Sequence, residues 1–296
     1  MATRLLLAFE DWRAEVAPHI GGSILSLRRA AQPILRPTPQ EAVENGSVRC
    51  TACYPLVPYA NRIAQGRFRW QGVEYALPEN FPGSVHPLHG VGWRRVWQIV
   101  HADAHSCRLK LEYRPAQDVA PDWPFAFDME QEISLRAGGL TISLSVINAS
   151  DSAAPLGLGL HPWFVRRGSE RIQFTAAGAW RNDADMLRST PIGVDAWNHS
   201  DGQPVGAHEL DNDFFGWDGI ARIESGDAPA IRITASGIFS VLRVFTPPGR
   251  ESFALEPVSH LSNAINCSAD AGAGMFNAAP GARLAGTVWI GADSLP

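Results

Sequence analysis

Three side chains of proton-moving type stand in unusual surroundings in this sequence: His89, His161 and Glu256. His161 lies in the run Gly157-Leu158-Gly159-Leu160-His161-Pro162-Trp163-Phe164. Its glycines permit other segments to approach closely. Pro162 has no N–H to give to a ladder, which predicts a strand end there. This puts an imidazole, the group that most easily exchanges a proton near neutral pH, at a sheet rim with aromatic walls. A chemically inert histidine at a strand exit fits the same residues. Glu256 closes the apolar run Phe253-Ala254-Leu255 and precedes Pro257. Partial desolvation there would raise its basicity, whereas a plain strand-end glutamate would be exposed. His89 follows His86 in His86-Pro87-Leu88-His89-Gly90-Val91-Gly92-Trp93. His-x-x-His is not the zincin spacing and no acidic ligand stands nearby, so a polar group aimed at a ligand fits better than a metal site.

Two further clusters are of binding type. Asn61-Arg62 sits between the apolar segment from Pro55 and a turn at Gly66. A planar fork of donors beside an amide suits sugar hydroxyls or an anion, and a surface turn is the bland alternative. Asp211 opens Asp211-Asn212-Asp213-Phe214-Phe215-Gly216-Trp217, which resembles a calcium loop in composition but lacks the spacing and terminal glutamate of an EF-hand. Trp93, Trp163 and Trp217, three of ten tryptophans, adjoin these clusters. A flat indole beside hydrogen-bonding groups suits the C–H face and hydroxyl edge of a sugar, while most of the ten belong to the core.

The elements that must hold these residues read as strands. Leu140, Ile142, Leu144 and Val146 alternate with Thr141, Ser143 and Ser145, the period of a half-buried strand. Phe127 to Leu135 alternates less regularly before it, with Ala137-Gly138-Gly139 between, which predicts a hairpin. Runs at 107–113, 220–224, 230–235, 241–245 and 284–290 alternate as well. The best helical candidate is only Gln40 to Val43. Many short strands with turn signals predict an all-β sandwich or barrel, its site built from rim residues and loops.

With 296 residues, no linker-like stretch and no internal repeat, the chain is expected to form a single domain over 1–296. The net charge of −5 is spread along it. No basic block points to nucleic acid or an anionic membrane surface, and no apolar run is long enough to span a bilayer. The Leu5 to Phe9 run is too short for a signal segment, so a cytoplasmic location is expected. Cys50 and Cys53 have the spacing of a redox pair or half a zinc site, but a second Cys-x-x-Cys is absent and a pair of reduced thiols is the expectation.

The order and context of these clusters resemble the aldose 1-epimerase (galactose mutarotase) family. The matching pieces run from Gly21-Gly22-Ser23-Ile24-Leu25-Ser26-Leu27 through Asn61-Arg62-Ile63 with Gly66, Phe68, Gly72 to Leu77 and Asn80. They continue through Leu88-His89-Gly90, His161-Pro162-Trp163-Phe164 and Leu210-Asp211 to Glu256-Pro257 and Asn266. The resemblance covers roughly residues 5 to 292 and implies a large antiparallel β-sandwich. It implies interconversion of the α and β anomers of a free aldohexose, with no metal and no cofactor. Carried over by position, Glu256 is the general base, His161 the general acid and His89 the second active-site histidine. Arg62, Asp211 and Asn61 bind substrate, and Trp163, where a tyrosine is common, bears on the choice of sugar. The expected partner is a small-molecule sugar, and the expected assembly a monomer or homodimer.

In that chemistry a base takes the anomeric O–H proton while an acid protonates the ring oxygen, and closure on the other face reverses the roles. Glu256 ionised and His161 protonated at the outset, with a bell-shaped pH profile, is the corresponding expectation. His89 would steady charge developing on the ring oxygen. Arg62, Arg94, Arg95, Arg167 and Arg181 make a sugar with a phosphate or sulfonate an alternative substrate. A sugar-binding module without catalysis is another alternative, since fold does not fix function. A glycosidase built on Asp211 and Glu256 would leave the histidines without a role.

Overall fold

The computed structural model describes residues 3–115, 121–226, 228–267 and 274–293, leaving out the side chains of 194 and 196. Among the described residues strands far outweigh helices, and they form two large sheets of twelve and nine strands whose ladders are antiparallel. Residues of both contribute to one shared apolar core, so the expected β-sandwich is the observed architecture.

The nine-stranded sheet shows the simple logic of alternation. Phe127–Arg136 and Gly139–Asn148 form the predicted hairpin, with Ile133 opposite Ile142. Leu140, Ile142, Leu144 and Val146 are buried while Thr141 and Ser143 are half-buried. The turn between them is short, and Gly138 takes the positive φ of 86° that it requires. Gly139–Asn148 then pairs with Arg283–Ala292, the closing strand, which pairs with Ala228–Ala235. The helical expectation at Gln40 to Val43 is met by a helix over Gln40–Glu44.

The twelve-stranded sheet carries the chemistry. At its centre Trp163–Val165 pairs with Ser252–Val258, Ser252–Val258 with Val241–Phe245, and Val241–Phe245 with Asp211–Phe215. Every residue of Ser252–Val258 is buried, as expected for a strand covered on both faces. Glu256 is therefore inside the strand rather than at its end, and it is carried into the interior by a run that is otherwise mostly apolar.

Pro162 acts as predicted in one respect and not in another. It does interrupt pairing, because Gly159–Leu160 and Trp163–Val165 are separate short strands. The interruption lies within the sheet and not at its rim, since both strands pair with Ser252–Val258. The missing N–H of Pro162 opens a gap in the ladder, and His161 stands in it.

The four cysteines are free thiols, Cys53 buried and Cys50 exposed. Among the described residues no helix is long and apolar enough to cross a membrane.

Candidate active site

The ladder register puts four polar side chains in one row. Asp213 is opposite Arg243, and Arg243 is opposite Glu256. Gly159 is opposite Val258 and Trp163 opposite Ala254, so the same register places His161 opposite Glu256. Residues directly opposite in antiparallel strands share a face. His161 Nε2 is accordingly 3.4 Å from Glu256 Oε1, and Arg243 donates to Asp213 at 2.7 Å and to Asp211 at 2.5 Å. Asp213 also accepts the Ser262 N–H at 2.7 Å.

The second histidine arrives by loop geometry. Asn61 and His89 both adopt the left-handed region, at φ 60° and 62°. The Asn61 N–H donates to His89 Nδ1 at 3.1 Å, and the His89 N–H donates to the Asn61 carbonyl at 2.9 Å. With Nδ1 accepting, the neutral ring carries its proton on Nε2. Gly90 makes this approach possible, because a Cβ there would lie 2.2 Å from the Val57 carbonyl oxygen. The His89 and His161 rings meet edge to face at 5.4 Å. His86 is a counterpart outside the site: its Nδ1 accepts the Gln65 N–H at 2.8 Å. The two histidines therefore each brace a backbone amide and do not converge. Among the described residues no group of three or more potential ligands is placed to hold a metal ion.

Aromatic rings surround His161. Trp163 stacks on it at 5.0 Å and Tyr54 lies tilted against it at 4.8 Å. These side chains, with Asn61, Arg62, Asp211, Arg243 and Glu256, line a cavity of about 830 Å³, a volume typical of small-molecule sites. All seven residues proposed from sequence, namely His89, His161, Glu256, Asn61, Arg62, Asp211 and Trp163, lie along it. Arg94 and Arg95 reach it but are engaged by Asp122 at 3.3 and 2.6 Å. Two of the arginines considered for an anion point elsewhere: Arg167 donates to the Pro33 carbonyl and Arg181 lies over Trp197. Trp217 is a core residue whose Nε1 donates to the Ile220 carbonyl.

The polar residues after Glu256 act on the site from behind. His260 Nε2 accepts the Ala60 N–H at 3.1 Å, and Asn263 Oδ1 accepts the Ala64 N–H at 3.0 Å. Asn266 donates to the Arg67 carbonyl at 2.8 Å. They fix the loop that presents Asn61 and Arg62. Gly157 lets the chain pass His260, since a Cβ there would lie 2.3 Å from its ring.

Arg243, Asp213 and Tyr54 are the residues that the sequence did not single out. Arg243 sits in Val241–Phe245, where an apolar and charged alternation reads as an ordinary half-exposed strand. Its side chain is instead 2 % exposed.

Burial sets the charges of the row. It pushes Glu256 up to about 8, against the pull of Arg243. It pushes His161 well below the usual imidazole range, helped by the nearby Arg36 and Arg243 charges. His89 is lowered in the same way, by burial and then by His161. Burial opposes the charge on Arg243, but Asp211 and Asp213 outweigh it and the guanidinium is held more firmly than usual. Both shifts run against the charged forms assigned to the pair, a Glu256 carboxylate and a His161 imidazolium.

This fold and site define a class of antiparallel β-sandwich proteins with a polar cavity set on the larger sheet. The crystal structure of a galactose mutarotase-like protein from Clostridium acetobutylicum superposes with a TM-score of 0.86, at 18% identity, covering 99% of this chain and 95% of that one. The aldose 1-epimerase family profile matches residues 10–282, and the chain belongs to that family. An uncharacterized Escherichia coli K12 protein, YphB, is 34% identical over 254 residues, spanning 81% of this chain and 82% of the relative. A crystal structure from the same organism, provisionally assigned as an aldose 1-epimerase, superposes with a TM-score of 0.89 at 30% identity over 99% of both chains.

Proposed function

We propose that the protein is an isomerase that interconverts the α and β anomers of a free aldohexose by opening and closing the sugar ring. The observation that carries this reading is the His161–Glu256 pair, 3.4 Å apart on the cavity wall. The two oxygens that must exchange protons in ring opening, the anomeric hydroxyl and the ring oxygen, are bonded to the same carbon. An acid and a base placed close together can therefore reach both oxygens at once. Glycoside hydrolysis instead places its carboxyl groups at least about 5 Å apart.

In the proposed sequence of events the proton moves from Glu256 to His161 Nε2 as the sugar enters, giving a carboxylate and an imidazolium. Arg243, opposite the carboxylate, steadies the first charge, and the faces of Trp163 and Tyr54 steady the second. Glu256 then takes the O1 proton while His161 protonates the ring oxygen. The C1–O5 bond breaks, the C1–C2 bond of the open aldehyde turns, and the ring closes on the other face with the roles reversed. His89, neutral and carrying its proton on Nε2, donates to the oxygen that gains charge. Asn61, Arg62 and Asp211 bind the remaining hydroxyls. No net proton or electron is exchanged with a further reagent.

The test is polarimetry, or exchange NMR, on freshly dissolved α-anomers. Acceleration of anomer equilibration by the wild-type protein, lost in Glu256→Gln and His161→Asn, is the expected result. Tight sugar binding with no acceleration would instead assign the protein as a sugar-binding module.

A further inference from the structure

The chain as a whole is acidic, with a net charge of −5, yet seven arginines line the cavity against the carboxylates of Asp211 and Glu256. Four of the seven are accounted for. Arg243 is committed to Asp211 and Asp213. Arg94 and Arg95 are committed to Asp122, and Arg62 stands in the field of Asp211. The remaining three are Arg36, Arg49 and Arg250. Among the described residues, none of these three has a carboxylate within ion-pair distance.

Arg36 anchors the group. Its Nε and Nη2 donate to the Thr51 carbonyl at 3.0 and 2.9 Å, and Nη2 also donates to the Arg49 carbonyl. Its Nη1 has no partner among the described residues. The guanidinium lies over Trp163, 4.1 Å from the ring centre. The Arg49 guanidinium lies over Phe81, 4.1 Å from the ring centre, and both residues line the cavity. Burial, with Arg250 and Arg49 close by, lowers Arg36 to about 10. Like charges gathered without a counterion disfavour one another, and a bound anion relieves that repulsion. Guanidinium forks match the oxygens of phosphate, sulfonate and carboxylate groups.

The position relative to the acid–base pair gives the cluster its meaning. Trp163 touches both: the Arg36 guanidinium lies 4.1 Å from its ring centre, and the His161 ring stacks on it at 5.0 Å. His161, Glu256 and the three arginines line the same cavity. Building on the epimerase reading, we propose that the sugar taken by this site carries an anionic group at the end remote from C1, seated on Arg36, Arg49 and Arg250.

The experiment measures anomeric exchange by NMR for glucose, glucose 6-phosphate, a 6-sulfonated glucose and glucuronate, with the wild type and with R49Q/R250Q. At least one anionic sugar is expected to exceed glucose in kcat/KM by about tenfold or more, the worth of a charge-assisted hydrogen bond. The charged-to-neutral ratio falls by a similar factor in R49Q/R250Q, and also with added salt. The winning anion identifies the group. Glucose turning over as fast as all three, or a ratio unmoved by R49Q/R250Q, overturns the anion seat and leaves the epimerase reading intact. Calorimetry separates the two ideas in the other direction. Glucose 6-phosphate binding more tightly than glucose, with no sugar exchanged faster than in buffer, supports the seat and removes the epimerase reading.

Discussion

His161 and Glu256 stand opposite each other in a single antiparallel register although no ladder hydrogen bonds join them. The ladders on either side fix the alignment, Gly159 against Val258 and Trp163 against Ala254. Pro162 removes the donor that would have closed the strand between. His161 stays anchored on its other side, its N–H donating to the Tyr54 carbonyl at 3.0 Å, with its imidazole 3.4 Å from a buried carboxyl. The row continues through Arg243 to Asp213, so the acid–base pair is continuous with a buried ion-pair network.

Removing either member of the pair removes one acid–base contribution in each direction of the reaction. Glu256→Gln and His161→Asn are each expected to lower kcat by about 10²–10⁴. The double variant loses much less than the product of the two, because the pair acts as a unit. Polarimetric rates on a common substrate decide this, and two variants with wild-type rates would refute the assignment.

In the proposed mechanism the active state holds one proton between Glu256 and His161. Gain of a second proton requires charging His161, which burial resists to well below its usual range. Loss of the last proton is governed by Glu256, at about 8. The profile of kcat/KM is therefore expected to be level through pH 7 and to fall on the alkaline side with an apparent pKa of about 8. An ordinary carboxylate and imidazole pair would already be losing activity at pH 7, so a rate series from pH 5 to 10 distinguishes them.

The same shift predicts a stability effect. Glu256 binds its proton more tightly folded than unfolded, so stability falls as pH rises from the unfolded value near 4.5 through about 8. Glu256→Gln carries no such loss. Its Tm relative to the wild type is expected to climb across that window and level off above it. A difference in Tm that is flat with pH would show that the carboxyl is not desolvated in solution.

Arg243→Met strands Asp211 and Asp213. Breaking a buried pair from one side costs about 3–5 kcal/mol, which denaturant unfolding would report. Because Arg243 draws the Glu256 proton off, the surviving activity should lose its alkaline limb at higher pH than in the wild type.

Gly90→Ala tests the loop that delivers His89. An alanine Cβ would meet the Val57 carbonyl oxygen at 2.2 Å at a positive φ of 69°, so the backbone must shift. A loss of about 1–3 kcal/mol is expected, with KM and kcat both worsened as His89 leaves its place. Unchanged kinetics would show that the position of His89 is immaterial.

Much of this was legible in the chain itself. The period of two between Leu140 and Val146, broken by glycine and proline, dictates strands, because a half-buried sheet needs that alternation. Glu256 was conspicuous because a carboxylate embedded in Phe253-Ala254-Leu255 is costly to bury without a purpose. His161, His89, Asn61, Arg62 and Asp211 were legible as polar residues framed by glycine, proline and aromatic side chains.

Tertiary structure decided the rest. Whether the arginine of Val241–Phe245 faces solvent or a buried carboxylate depends on which strands flank it, and only the register with Asp213 and Glu256 turns it inward. The upward shift of Glu256 is a property of desolvation, which no local sequence contains. The same holds for the arginines: Arg167 and Arg181 looked as suited to an anion as any, but Arg36, Arg49 and Arg250 are the ones at the cavity without carboxylate partners. Sequence determined the residue types and the periodicity, because those express local chemistry. Pairing, burial and uncompensated charge arise between segments distant in the chain, and only the folded sheet brings them together.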